Sequence, residues 1–136
     1  MNRSRPMSVL VVDDEAGFRG FLELELQRLG ISVQTAGSGA ESLLLMKETS
    51  FDVVITDVTM PEMDGLKLLQ EIKRISPRTE VIVVTGFGAV ETAVFAMRQG
   101  AYEFVLKPYD LDTLMSCVKN AADGFKACHA CGKEKS

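Results

Sequence analysis

Cysteine is scarce: three in 136 residues, an odd number set in no framework. That excludes a disulfide-held secreted scaffold and fits a reducing compartment, with the cytoplasm as the default. No apolar run approaches the roughly 20 residues that span a bilayer. The opening MNRSRPM leads straight into a short apolar run and then acids, without a signal peptide's hydrophobic region or cleavage site. Basic excess is also missing. The net charge of −4 argues against a dedicated nucleic-acid-binding face. What the chain does have is 46% hydrophobic and 25% charged residues, the balance of a globular domain. Its length sits near the mode for one domain.

Apolar runs of strand length alternate with helical patterns. Ser8–Val12, Val53–Ile55, Val81–Val84 and Phe104–Leu106 are nearly continuous in apolar residues, which predicts strands buried on both faces of a parallel sheet. Ile31–Ala36 alternates, as a less buried edge strand does. Between them, residues 15–29 carry Phe18, Phe21, Leu22 and Leu29 on one stripe, with Gly30 as a stop. Residues 38–47 begin at a capping Ser38 and carry Ala40, Leu43, Leu44 and Met46. Residues 65–75 repeat Leu66, Leu69 and Ile72 and end before Pro77. Residues 89–99 place Val90, Ala93, Val94 and Met97 on one face and close at Gly100. Residues 110–122 start at Asp110 and carry Leu111, Leu114, Val118 and Ala121. Five such alternations predict a right-handed, doubly wound α/β sheet. Glu25 interrupts the first helix's stripe and is expected at the rim, where its charge reaches water. The domain is expected to run over 7–124, with 125–136 as a flexible tail or the start of a further segment.

In open parallel sheets, ligands bind at the carboxyl ends of strands, where the strand order reverses. The first strand ends at Asp13-Asp14, then Glu15; the third ends at Asp57; the fourth at Thr85-Gly86; the fifth at Lys107-Pro108. Clustered carboxylates repel one another unless a cation joins them, and an oxygen-only set suits Mg²⁺. A carboxylate beside such an ion can act as a nucleophile toward phosphorus. Lys107 is a point charge suited to a phosphoryl oxygen. Singly, each has an ordinary reading: Asp14 as a helix cap, Thr85 as local hydrogen bonding, Lys107-Pro108 as a loop. It is their joint placement at four strand ends, in order, that points to a site.

These pieces together resemble a response-regulator receiver domain over Ser8 to Asp123. The match lies in Val11-Val12-Asp13-Asp14-Glu15, Asp57-Val58-Thr59-Met60-Pro61-Glu62-Met63-Asp64-Gly65, Val83-Val84-Thr85-Gly86 and Lys107-Pro108. The resemblance implies a flavodoxin-like fold with strand order 2-1-3-4-5 and a phosphoacceptor at Asp57. It implies that Asp14 and Asp57 bind Mg²⁺ directly, that Thr59 offers its carbonyl, and that Asp13 acts through a water. Lys107 would contact the phosphoryl group, Thr85 would swing toward it, and Phe104 would change rotamer with it. Many receivers have Tyr where this chain has Phe104.

The implied donor is a sensor histidine kinase or phosphotransfer protein, docking beside the first helix near Gly17, Phe18 and Phe21. Gly20, unfavourable inside a helix, is expected to serve close packing by that partner. The implied output face is the fourth helix, fifth strand and fifth helix. There Phe95 is expected to be exposed and is a candidate partner or homodimer contact. The stretch 85–109 most resembles receivers of the nitrogen-regulatory type, and the chain is expected to be an excised or truncated receiver. No direct contact of this domain with nucleic acid or membrane is expected.

Three rivals share this fold class. A Mg²⁺-dependent aspartyl-nucleophile phosphohydrolase of the haloacid-dehalogenase kind would carry DxD at the first strand, where this chain has adjacent Asp13-Asp14. A flavin module would need a Ser/Thr/Gly-rich phosphate loop after that strand. A pseudo-receiver conflicts with the intact acids. In Cys128-His129-Ala130-Cys131 a single CxxC falls short of a zinc site's usual two pairs, and incidental thiols in a frayed tail are expected, although Cys117 and His129 could complete a set of four.

Overall fold

The computed structural model describes residues 7–57, 65–85, 90–106 and 110–122. Five strands and five helices alternate: β1 (Ser8–Val12), α1 (Ala16–Arg28), β2 (Ser32–Ala36), α2 (Gly39–Glu48), β3 (Val53–Asp57), α3 (Gly65–Ile75), β4 (Glu80–Thr85), α4 (Val90–Arg98), β5 (Glu103–Leu106) and α5 (Leu111–Ala122). All neighbouring strands are parallel, in the order β2-β1-β3-β4-β5. This is the flavodoxin-like sheet expected from the sequence. The tail, including Cys128, His129 and Cys131, lies outside the described residues.

The pleat sends alternate side chains to opposite faces, and the sheet divides the core in two. Val9, Val11, Val53, Ile55, Ile82, Val84 and Val105 face α1 and α5, meeting Leu22, Leu26, Leu114 and Val118. Leu10, Val12, Val54, Val81 and Val83 face α2, α3 and α4, meeting Leu68, Leu69, Ile72 and Ala96. Because each central strand must be apolar on both faces, these strands read as continuous runs. Edge strand β2 is exposed at alternate residues up to the buried Ala36.

Local signals set the helix ends. Ser38 Oγ accepts the Glu41 N–H at 3.1 Å, as a cap does. Gly30 (φ 81°) and Gly100 (φ 102°) take the left-handed conformation that stops α1 and α4. Lys73 Nζ donates to the Pro77 and Thr79 carbonyls, both at 2.9 Å, closing the turn after α3.

Three helix faces differ from expectation. In α1 the buried positions are Leu22 and Leu26, with Phe18 partly buried against them; Phe21 is 48% exposed and Leu29 is half-exposed. The i, i+4 series 18, 22, 26 faces the sheet, and Leu29 already lies in the C-terminal cap. In α2, Ala40 and Leu44 face solvent, while Leu43 and Met46 pack partly inward. In α4, Val94 and Met97 are exposed and Ala96 is buried. This helix is apolar around several faces, so periodicity gives no direction, and the small side chain takes the closest approach. Glu25 does sit at the rim, its carboxylate 3.8 Å from Arg28.

The fold makes a contrast testable. Leu22→Ala removes a fully buried side chain and should cost about 2–5 kcal/mol in urea unfolding. Leu44→Ala, at a position 61% exposed, should change stability by less than about 0.5 kcal/mol.

Candidate functional site

The β1-to-β2 and β3-to-β4 connections run in opposite directions along the sheet, so the carboxyl ends of β1 and β3 border the crevice where ligands bind in such sheets. Val12 pairs with Thr56, which puts Asp13 and Asp57 at one level on adjacent strands. Asp57 is the last residue of β3 and pairs with Val84, directly before Thr85. Thr85 pairs with Leu106, directly before Lys107 in the chain. The strand pairings therefore bring Asp13, Asp57 and Thr85 to one edge of the sheet.

The acids differ in setting. Asp13 is 2% exposed; its Oδ1 accepts the Glu15 N–H at 2.9 Å, and its own N–H donates to the Ala36 carbonyl at 3.1 Å. Asp14 is exposed, since consecutive residues leave a strand end on opposite sides. Asp57 is half-exposed, on the same face of β3 as Val53 and Ile55. Thr59 and Lys107 lie outside the described residues. Phe104 is partly buried against the α2–α4 layer, paired with Val83.

Among the described residues, no three His, Cys, Asp or Glu side chains are gathered as a metal cluster. Asp13 turned inward and Asp14 turned outward account for that. The donors still fit a hard cation: carboxylate oxygens on neighbouring strands, one of them withdrawn from water, suit an ion that uses one or two carboxylates and keeps several waters.

Arg19 is a member of this edge that no sequence pattern singles out. Its Nη1 donates to the Asp13 carbonyl at 2.6 Å. The Ser38–Glu41 spacing is a readable cap signal, but the Glu41 carboxylate reaches past Ser38 to the Gly37 N–H at 2.8 Å.

Away from the edge, a groove of about 440 Å³ between α1 and α5 is lined by Leu29, Leu111, Met115 and charged residues including Arg28 and Lys119. None of the strand-end acids lines it. Phe18 and Phe21 lie on α1, half-buried and exposed respectively, and Phe95 on α4 is 40% exposed.

Residues 9–119 match the family model described as the response regulator receiver domain. The chain belongs to this family. The receiver is 40% identical over 119 residues to the transcriptional regulatory protein GlrR of Escherichia coli K12, covering 88% of this chain. It is 42% identical over 113 residues to the regulatory protein AtoC of the same organism, covering 83%. It spans about a quarter of the length of these curated relatives, 27% and 24%. Among solved structures, a receiver domain from Clostridium thermocellum superposes with a TM-score of 0.82 at 39% identity, covering 86% of this chain and 94% of that one. The beryllofluoride-activated NtrC4 receiver domain, a dimer in solution, gives 0.81 at 40%, covering 85% and 96%. These neighbours agree with the nitrogen-regulatory resemblance read from residues 85–109.

Cys117, half-buried on α5 against the α1/α5 layer, has its thiol pushed up from the ordinary value by burial first and by the Glu103 carboxylate second. The folded chain thus holds this proton more tightly than the unfolded one. The stability it contributes is full below about pH 8.5 and falls as pH rises through the raised value. Urea unfolding at pH 7 and pH 10 should show wild type losing more stability than Cys117→Ser.

Proposed function

We propose that this receiver accepts a phosphoryl group on Asp57 from a phosphohistidine on a sensor histidine kinase or phosphotransfer protein, and passes the change to the α4–β5–α5 face. The observation that carries the reading is Asp57, half-exposed at the end of β3 and level with Asp13 across the crevice. Asp57 attacks phosphorus through a carboxylate oxygen. The new O–P bond forms as the donor's N–P bond breaks, and the imidazole leaves with the electron pair and takes up a proton. Asp14, Asp57 and the Thr59 carbonyl would hold Mg²⁺, with Asp13 acting through a water. Mg²⁺ supplies charge neutralisation for the phosphoryl oxygens. Lys107 adds a second cationic contact. Phosphorylation brings roughly −2 charge and three acceptor oxygens. Thr85 turns toward them and Phe104 fills the space it leaves, a coupling of about 1–3 kcal/mol.

Two surfaces follow from the same reading. The donor docks on α1, where Phe21 and Leu24 are exposed beside the half-buried Phe18. A Cβ at Gly20 would meet nothing within 4 Å, so this chain's own packing does not require glycine there. On α4, exposed Val94, Phe95 and Met97 form an apolar patch suited to a second copy. The dimer of the NtrC4 receiver domain supports pairing of this chain with a second copy. The longer relatives support an output through a transcriptional regulator, and cytoplasmic placement goes with it.

With Mg²⁺ and acetyl phosphate, intact mass should rise by one phosphoryl group, and Asp57→Ala should abolish the gain. Phosphoester turnover without an adduct would select the hydrolase instead. Gly20→Ala should stabilise the fold by up to about 1 kcal/mol yet slow transfer from the kinase; an unchanged transfer rate would remove the docking role. Phe95→Ala should weaken self-association of the phosphorylated form in analytical ultracentrifugation.

A further inference from the structure

Arg19 reaches back from the first turn of α1 across the acidic edge, and its Nη1 holds the Asp13 carbonyl at 2.6 Å. That oxygen belongs to the planar peptide leading into Asp14. A charged donor on it fixes the plane's rotation, and with it the direction in which the Asp14 side chain departs. The other end of Asp13 is fixed by its N–H on the Ala36 carbonyl at 3.1 Å, and its carboxylate by the Glu15 N–H.

Gly37 completes the arrangement. Its φ is not positive, so backbone freedom does not explain the glycine. A Cβ there would stand 3.2 Å from Arg19 Nη1, closer than most side-chain contacts, and at ordinary contact distance, 3.7 Å, from Arg19 Cζ and Glu41 Oε1. An alanine there would oblige the guanidinium to move by a few tenths of an ångström. The Gly37 N–H is held by Glu41 Oε1 at 2.8 Å, and the Glu41 N–H by Ser38 Oγ, so the surface that backs Arg19 is anchored to α2.

We propose that Arg19, seated against Gly37, is a positioning residue for the cation site: it fixes the Asp13–Asp14 turn from which these carboxylates reach Mg²⁺. This inference rests on the receiver reading above. Arg suits the task because its rigid fork holds a carbonyl in one direction, whereas a Lys ammonium does so loosely.

The sign of one measurement separates positioning from simple charge. Removing a nearby cation would by itself tighten Mg²⁺ binding, whereas loss of positioning weakens it. In calorimetric titration of the full chain with Mg²⁺, R19Q should bind about tenfold more weakly, in line with other supports of metal ligands. Gly37→Ala should shift binding the same way by a smaller factor, and R19K should recover part of the loss. The Mg²⁺ concentration for half-maximal acetyl phosphate labelling should rise in R19Q, while the rate at saturating Mg²⁺ is retained. Thermal unfolding in EDTA checks that each variant is folded. If folded R19Q and Gly37→Ala bind Mg²⁺ as tightly as wild type or more tightly, the inference is overturned while the receiver reading stands. A wild-type chain that neither binds Mg²⁺ nor labels on Asp57 overturns both.

Discussion

Asp13 ends a strand whose last four residues are buried and apolar, and its carboxylate is almost wholly withdrawn from water. A charge in such a place costs several kcal/mol unless hydrogen bonds or opposite charge offset it. The Glu15 amide donates to Oδ1 and answers part of that cost, while the Ala36 carbonyl, accepting the backbone N–H, and Arg19, donating to the main-chain carbonyl, hold the residue in place. The start of α1, the β2–α2 connection and the level of β3 all follow from keeping that residue where it is. Asp57 gains its standing from the same geometry. It is the neighbouring strand's terminal residue, and register alone brings it level with Asp13.

The division of labour between sheet and connections explains the kind of protein this is. Apolar side chains on both faces of β1, β3 and β4 make the sheet rigid, and the acids stand where that rigidity stops. A receiver needs this combination. On the function proposed above, the acceptor is held closely for phosphoryl transfer while the helices that report the event shift. β5 links the two: Val105 packs in one layer and Phe104 in the other, and Thr85 pairs with Leu106 just before Lys107.

Much of this was legible in the sequence. Buried strands announce themselves as unbroken apolar runs, and strand ends in an open sheet are the binding edge, so the positions of Asp13, Asp57 and Thr85 at the strand ends could be read from spacing. Helix faces were less legible. α4 presents Val94, Phe95, Ala96 and Met97 in one turn, and hydrophobicity cannot say which points inward. The sheet's distance decides for the smallest, Ala96. Phe21 and Leu29 likewise look like core in α1 until the sheet selects the 18, 22, 26 series. Arg19 was not legible at all, because its contact depends on how two connections approach each other in space.

The sheet also acts as a septum. With Leu22, Leu26 and Leu114 on one side and Leu68, Leu69 and Ile72 on the other, the two apolar layers share no side chain. Substitutions confined to opposite layers should therefore add in free energy, as independent sites do. Either flank can thus be repacked in evolution without disturbing the fit of the other.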